Sequence, residues 1–341
     1  MKNYRRPFAA AFIAASIFFL IINTKDSLVF ATDALQLCTA SLIPSIFPFM
    51  FLAMLLNSFL TGYRFRFLNF VRKICRIPEG AEILFLLGLL GGYPIGAQMI
   101  SNTYQSGKLK KEDAQRMLGF CNNAGPSFIF GVVGPLFDSW IIPALLWLIQ
   151  ILSAIITGVL LTGSCSEKIT ISNQAHISIT DTLEKSVKNM GLICGWVLLF
   201  RIVVGFIDVH LLSFVPKSIA VIVAGMLELT NGCFALYGIE NSGVRFILSS
   251  FFLSMGGLCV ALQTASAAKS LNMRKYTIGK CIQGFISLIL ALVLQYIIFQ
   301  PENRFAPLNL SGIIAIIFAF IIIIFFYRKK TVAFRSELVY N

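Results

Sequence analysis

Ten apolar runs punctuate this chain, at about residues 7–23, 39–60, 82–105, 114–138, 139–163, 189–209, 216–243, 245–268, 278–299 and 308–327. Most match the ~20 residues that a helix needs to cross a hydrocarbon layer. The polar links between them are too brief to fold as a separate soluble domain. Composition agrees, since 57% of the 341 residues are apolar and 13% charged, with a mean hydropathy of +0.82. Such a chain lacks the polar surface of a soluble globule. Barrel strands would alternate apolar and polar residues, and these runs do not. The expected fold is an all-α polytopic membrane protein whose backbone groups are satisfied inside each helix.

The basic residues decide which runs cross. Suppose the runs centred on Gly92 and Glu228 dip into the membrane and return on the side they entered, while the other eight cross. One side then holds 23 of the 28 Lys and Arg residues, in the segments 2–6, 64–76, 108–116, 168–188, 269–280 and 328–335. The other side keeps Lys25, Lys217, Arg245 and Arg304, and Arg201 lies within a span. If both dipping runs crossed instead, the split would be 17 to 10, a poorer fit to the positive-inside bias. The reading is eight transmembrane helices plus two re-entrant hairpins, with both termini in the cytoplasm.

An inverted repeat follows from that count. Residues 39–163 form the first repeat, with a hairpin at 82–105 and a broken helix at 114–138. Residues 189–299 form the second, with a hairpin at 216–243 and a broken helix at 245–268. Every element of the second set is the first set upside down, as in carriers that hold a substrate where broken helices meet. Residues 1–38 add an N-terminal span and outer loop, and 300–341 a C-terminal span and basic tail. The stretch 164–188, Ser/Thr-rich at its start, reads as a cytoplasmic linker. The N-terminus, with its basic start, apolar core and small residues near Ala31, imitates a signal peptide and is read as a retained span. The aromatic and basic residues at 64–73 suit a helix lying in the headgroup region.

The breaks carry the chemistry. In the segment Gly91-Gly92-Tyr93-Pro94-Ile95-Gly96, glycine permits dihedrals that other residues resist, and Pro94 removes a backbone donor. Backbone unwound at that depth survives only against protein or a wet cavity. Residues 121–126, Cys-Asn-Asn-Ala-Gly-Pro, repeat the device and add two carboxamides. Asn122 and Asn123 can bind a substrate or satisfy the broken backbone, and two adjacent amides exceed what one break requires. Glu228, Thr230 and Asn231 fall at the second hairpin tip. An ionisable group there is a candidate for proton or cation coupling, or else for a salt bridge to Arg201. Gly256 and Gly257 interrupt the next span, and Gln263 beyond them reads as a helix-to-helix hydrogen bond. Helices starting near Ile95 and Cys233, and after Pro126 and Gly257, would point unpaired amides and positive dipole ends at the centre, which favours an anion. Arg201 either adds a carboxylate clamp or snorkels to the interface.

The stretch LLGGYPIGAQMISNTYQSGKL, followed by GFCNNAGPSFIFGVVG, resembles the YlbJ family of sporulation integral membrane proteins, within the wider group carrying the nucleoside-recognition gate domain. The likeness covers residues 41–134 and, more loosely, continues through ELTNG to about 268. It implies an importer of dipicolinate through the outer forespore membrane during sporulation, and distant kinship with concentrative nucleoside transporters. By that likeness Tyr93, Pro94, Asn122, Asn123, Gly125, Glu228, Thr230 and Asn231 form the site. Members of the wider group differ in cargo, so a nucleoside or another small metabolite is the alternative.

Other classes fit less well. The net charge of +13 is explained by cytoplasmic loops and anionic lipid, so no nucleic-acid partner is expected. The eight cysteines have no paired spacing, which argues against disulfides and metal. His176 and His210 lie away from the breaks, so no catalytic set is expected. No Walker loop is present, since Gly107-Lys108 lacks the leading glycine and the Ser or Thr. A non-transporting sensor or scaffold would want a soluble output domain. The expected partners are thus a small anionic substrate, the bilayer, and a second copy of the chain or other sporulation membrane proteins. No cofactor is expected beyond a coupling ion, proton or sodium.

Overall fold

The computed structural model describes residues 5–60, 66–161 and 178–299. All regular structure in them is helical. The expected last span at 308–327, the basic tail, Arg64, Phe65 and the linker residues 164–177 lie outside the described residues.

Helix α1 (Arg5–Ile22) is followed by α2 (Thr24–Leu37), which passes through a π turn at Cys38–Leu42 into α3 (Ile43–Leu60). The outer loop expected before residue 39 is therefore helical from Thr24. No Gly or Pro interrupts that stretch, and Asp26 in the first turn suits the positive helix end. A short α4 (Asn69–Cys75) leads to α5 (Glu82–Gly91) and α6 (Ile95–Gln105), which pack on each other as a hairpin. Helix α7 (Lys111–Cys121) stops at the Asn122–Gly125 break and resumes as α8 (Pro126–Phe128) with further helical turns to Leu136. Helix α9 (Ile141–Leu160) follows.

The same order then recurs. Helix α10 (Ile179–His210) is followed by the packed pair α11 (Lys217–Leu227) and α12 (Leu229–Ala235). Next come α13 (Ser242–Met255), a break at Gly256, α14 (Gly257–Ala267) and the long α15 (Arg274–Ile298). Helix α10 begins ten residues before the expected 189, because the Ser178 hydroxyl caps it by accepting from the Asp181 amide at 3.1 Å. Residues 179–188 are thus helix rather than linker.

Among the described residues, five helical stretches are long and apolar enough to cross a membrane: Thr24–Leu56, Ile141–Leu160, Ile179–His210, Ser242–Ala267 and Arg274–Gln295. Of the other expected crossings, the N-terminal one is a shorter apolar helix, Arg6–Ile22, and the run 114–138 is divided at Asn122–Gly125. Large apolar side chains such as Phe8, Phe18, Leu192 and Phe285 are exposed, as lipid-facing residues would be. The chain is a helical membrane protein.

The interior is built by α15, which packs on α7, α9 and α13, while α3 packs on α5 and α10. Where α15 crosses α7 the backbones nearly touch. A Cβ at Gly279 would stand 2.6 Å from the Gly119 carbonyl oxygen, so only glycine allows this approach. Midway along α7, the buried Arg116 guanidinium donates to the carbonyls of Cys75 (2.6 Å) and Arg76 and to Asp113, tying α7 to the end of α4.

Candidate functional site

The helix breaks converge inside the fold. At the first, Gly92 has φ 78°, in the region that favours glycine, and Pro94 precedes the new helix. At the second, Asn122 and Gly125 are extended, as the residue before Pro126 must be. The third falls at extended Glu228. These breaks sit against one another in pairs: a Cβ at Gly92 would lie 3.0 Å from the Gly125 amide, and one at Gly257 3.0 Å from the Met226 carbonyl. Tyr93 joins the two pairs, its hydroxyl donating to the carbonyls of Leu253 (3.3 Å) and Ser254 (3.5 Å) beside the fourth break.

Between the pairs lies a cavity of about 50 Å³. Tyr93 and Gly125 line it from the first half of the chain, Glu228, Thr230 and Gln263 from the second, and Ile46 and Val197 from α3 and α10. One water needs roughly 10–15 Å³ on this scale. The cavity has room for a few waters, and an aromatic acid or nucleoside would enter only after the tips part. Pro94, Asn122, Asn123, Asn231 and Arg201 are not on its wall.

Glu228 is 1% exposed and caps α12. Its Oε1 accepts from the Thr230 amide at 3.0 Å and its Oε2 from the Asn231 amide at 2.6 Å. The bridge to Arg201, one of the two roles open to Glu228, does not form. Arg201 instead donates to Asp33 at 3.1 Å, because helical α2 runs along α10 and sets that carboxylate opposite it. Both side chains are about a third to a half exposed, so the pair contributes little. The second limb starts at Leu229 rather than near Cys233.

The expected cluster of free helix starts is corrected at two of its four members, α12 and α6. A carboxylate of the chain occupies the start of α12. At the start of α6 the Ala97 amide donates to Asn122 Oδ1 at 3.2 Å, and the Gly96 and Gln98 amides donate to the carbonyls of Gly92 and Pro94. Asn122 also donates to the Thr264 hydroxyl at 2.9 Å, joining the first break to α14. Its carboxamide serves the broken backbone, one of the two roles its position allowed. The Nδ2 of Asn231 is buried and has no hydrogen-bond partner among the described residues.

Asn123 leads to residues that the sequence reading did not single out. Fully buried, it donates to the Phe120 carbonyl (2.8 Å), while its Oδ1 accepts from Lys280 Nζ (3.1 Å) and Gln283 Nε2 (2.8 Å). Lys280 also donates to Gln283 Oε1 at 2.7 Å and lies 5.1 Å from the centre of the Tyr93 ring. It was counted with the cytoplasmic lysines; in the structure it is 3% exposed, within α15. A signal for it existed: Lys280, Gln283 and Ser287 are spaced i, i+3, i+7 and so share one face of an otherwise apolar helix. Gln150, Ser153 and Thr157 have the same spacing on α9 and are all buried. Gln150 binds the break of the second half, donating to the Leu253 carbonyl (3.3 Å) and accepting from the Ser254 hydroxyl (2.8 Å). Gln150 and Gln283 are each the tenth residue of their helix, and each grips the broken helix of the other half.

Comparison with known proteins agrees with the membrane assignment. No family model matches the chain, and no solved structure gives a significant match. The chain is 23% identical over 301 residues to the sporulation integral membrane protein YlbJ of Bacillus subtilis (strain 168), a likeness covering 74% of this chain and 73% of that one.

Proposed function

We propose that this chain is a carrier of a small organic anion, built from two inverted repeats with re-entrant hairpins at 82–105 and 216–243. Its first-choice substrate is dipicolinate, taken up across the outer forespore membrane during sporulation, with a proton or sodium ion as coupling partner. The observation that carries this reading is the cavity where the breaks meet, lined by both halves of the chain. A site shared between halves can open to either side as one bundle rocks against the other. The matched positions of Gln150 and Gln283 support related halves, and the similarity to a sporulation membrane protein supports the setting. The hairpin tips, with Tyr93, Gly125, Glu228 and Thr230, form the substrate wall; Asn122, Asn123 and Asn231 stand directly behind it.

One observation favours a second reading, transport of a neutral metabolite such as a nucleoside. Glu228 places a carboxylate on the cavity wall and occupies the α12 amides that an anion would use. Uptake by purified protein in liposomes decides between them. Saturable uptake of labelled dipicolinate, lost in Glu228→Ala with expression unchanged, supports the first. Uptake of uridine without dipicolinate selects the second, and uptake of neither removes the carrier reading.

A further inference from the structure

A buried lysine of the described interior has no opposite charge beside it. Lys280 is 3% exposed, and among the described residues no carboxylate comes within ion-pair distance of it. Its two hydrogen bonds go to the neutral amide oxygens of Asn123 and Gln283, although an ammonium has three donors. A solitary buried cation is costly, and amide oxygens offset that cost less fully than a carboxylate does.

The position of this ammonium relates it to the cavity. Tyr93 lines the cavity, and Lys280 lies against the Tyr93 ring, with its nitrogen 5.1 Å from the ring centre. The Tyr93 hydroxyl contacts, at 3.3 and 3.5 Å, are long for O–H···O bonds. Lys280 is held by Asn123 at 3.1 Å and by Gln283 at 2.7 Å, and Gln283 by Asn123 at 2.8 Å. The Tyr93 ring is the side chain that touches both the cavity and the ammonium.

We propose that Lys280 is the counter-charge for a carboxylate of the transported anion, reached when Tyr93 swings aside and joins the cavity to the amide cluster of Asn123 and Gln283. The substrate carboxylate takes the third ammonium donor, and the Asn123 and Gln283 amides orient the lysine for it. Glu228, on the opposite wall, then faces the remainder of the ligand. This explains how an anion can be selected although the starts of α6 and α12 already hold side-chain oxygens of the chain itself.

The inference rests on the carrier reading, and its test separates the two. Wild type, Lys280→Met, Lys280→Arg and Tyr93→Ala are reconstituted as full chains and assayed for uptake of pyridine-2,6-dicarboxylate and of uridine, with melting temperature as the control for folding. The expected result is a loss of dicarboxylate uptake of tenfold or more in Lys280→Met, partial retention in Lys280→Arg, and a melting temperature for Lys280→Met no lower than wild type. Tyr93→Ala is expected to bind the dicarboxylate without the selectivity of wild type. Dicarboxylate uptake by Lys280→Met within twofold of wild type overturns the proposal and leaves the carrier reading standing. Uridine uptake with no dicarboxylate uptake in wild type overturns the proposal and selects the neutral-metabolite carrier, and uptake of neither defeats both.

Discussion

Single side chains in this interior do two jobs, closing the broken backbone and setting charge, and their removal separates the two. Asn123 Oδ1 is shared by Lys280 and Gln283, so Asn123→Ala strands part of a buried ammonium and an amide together. Loss of a hydrogen bond to a charged group costs about 1.5–3 kcal/mol, and the melting temperature of the purified protein should fall accordingly. In the double variant Asn123→Ala with Lys280→Met most of that loss should be recovered, because the stranded charge is gone. Simple addition of the two single effects would show that the contact carries no energy. At Glu228, alanine removes the cap of α12 and leaves two buried amides unpaired, which costs about 1–3 kcal/mol. Glu228→Gln keeps one acceptor and should melt between wild type and Glu228→Ala. The carboxamides at 122 and 123 were visible in the sequence as candidates, but not their partners. Thr264 and Lys280 lie about 140 and 157 residues away, and one chain's residue pattern does not encode such pairings. Lys280 was counted with the flanking basic residues because it stands at the edge of the apolar run that starts at 278, whereas the helix begins at Arg274, six residues before it.

Among the elements, the breaks were the most legible feature, because Gly and Pro impose a local backbone choice that neighbours seldom override. Gly92, Pro126 and Gly256 all mark observed breaks. Helices that are polar were the least legible. Thr24–Leu37 and residues 179–188 carry too many charges to register as spans, yet Asp26 in one first turn and the Ser178 cap with Asp181 in the other suit helix starts. The second limb of the later hairpin was displaced for a related reason. Thr230-Asn231-Gly232 discourages helix by propensity, and the Glu228 cap outweighs that preference, so α12 begins at Leu229. Close packing between elements gives a direct test of the α7–α15 crossing. A Cβ at Gly279 would meet the backbone of Gly119 rather than a flexible side chain, so the helices themselves must separate. Gly279→Ala should destabilise by about 1–3 kcal/mol, the usual range for overpacking, and Gly279→Val by more. Gly191→Ala, where a Cβ meets nothing within 4 Å, is the matched control and should leave the melting temperature unchanged or slightly raised.

For the molecule as a whole, the recurrence of long helix, broken pair, broken helix and long helix is explained most simply by two related halves of opposite orientation. The charge pattern fits that proposal: with both broken pairs returning to the side they came from, and the buried Lys280 set aside, 22 basic residues fall on one side and 4 on the other. Glutamines at the tenth position of α9 and of α15, each reaching into the other half, tie the two halves to one another. Opposite orientation makes one sharp prediction about sidedness. Ser106, at the end of α6, and Glu240, between α12 and α13, are both exposed and occupy corresponding places after the two hairpins. With Cys281, the exposed cysteine of the described residues, and Cys165 replaced by serine, Ser106→Cys and Glu240→Cys are each labelled in intact cells with a maleimide that does not cross lipid. Glu240→Cys should react in intact cells and Ser106→Cys only after the membrane is opened. Reaction of both before opening would make the two hairpins face the same way, so that the second half is not the first turned over. A cavity lined from both halves could not then be exposed alternately by the rocking of one bundle against its inverted counterpart.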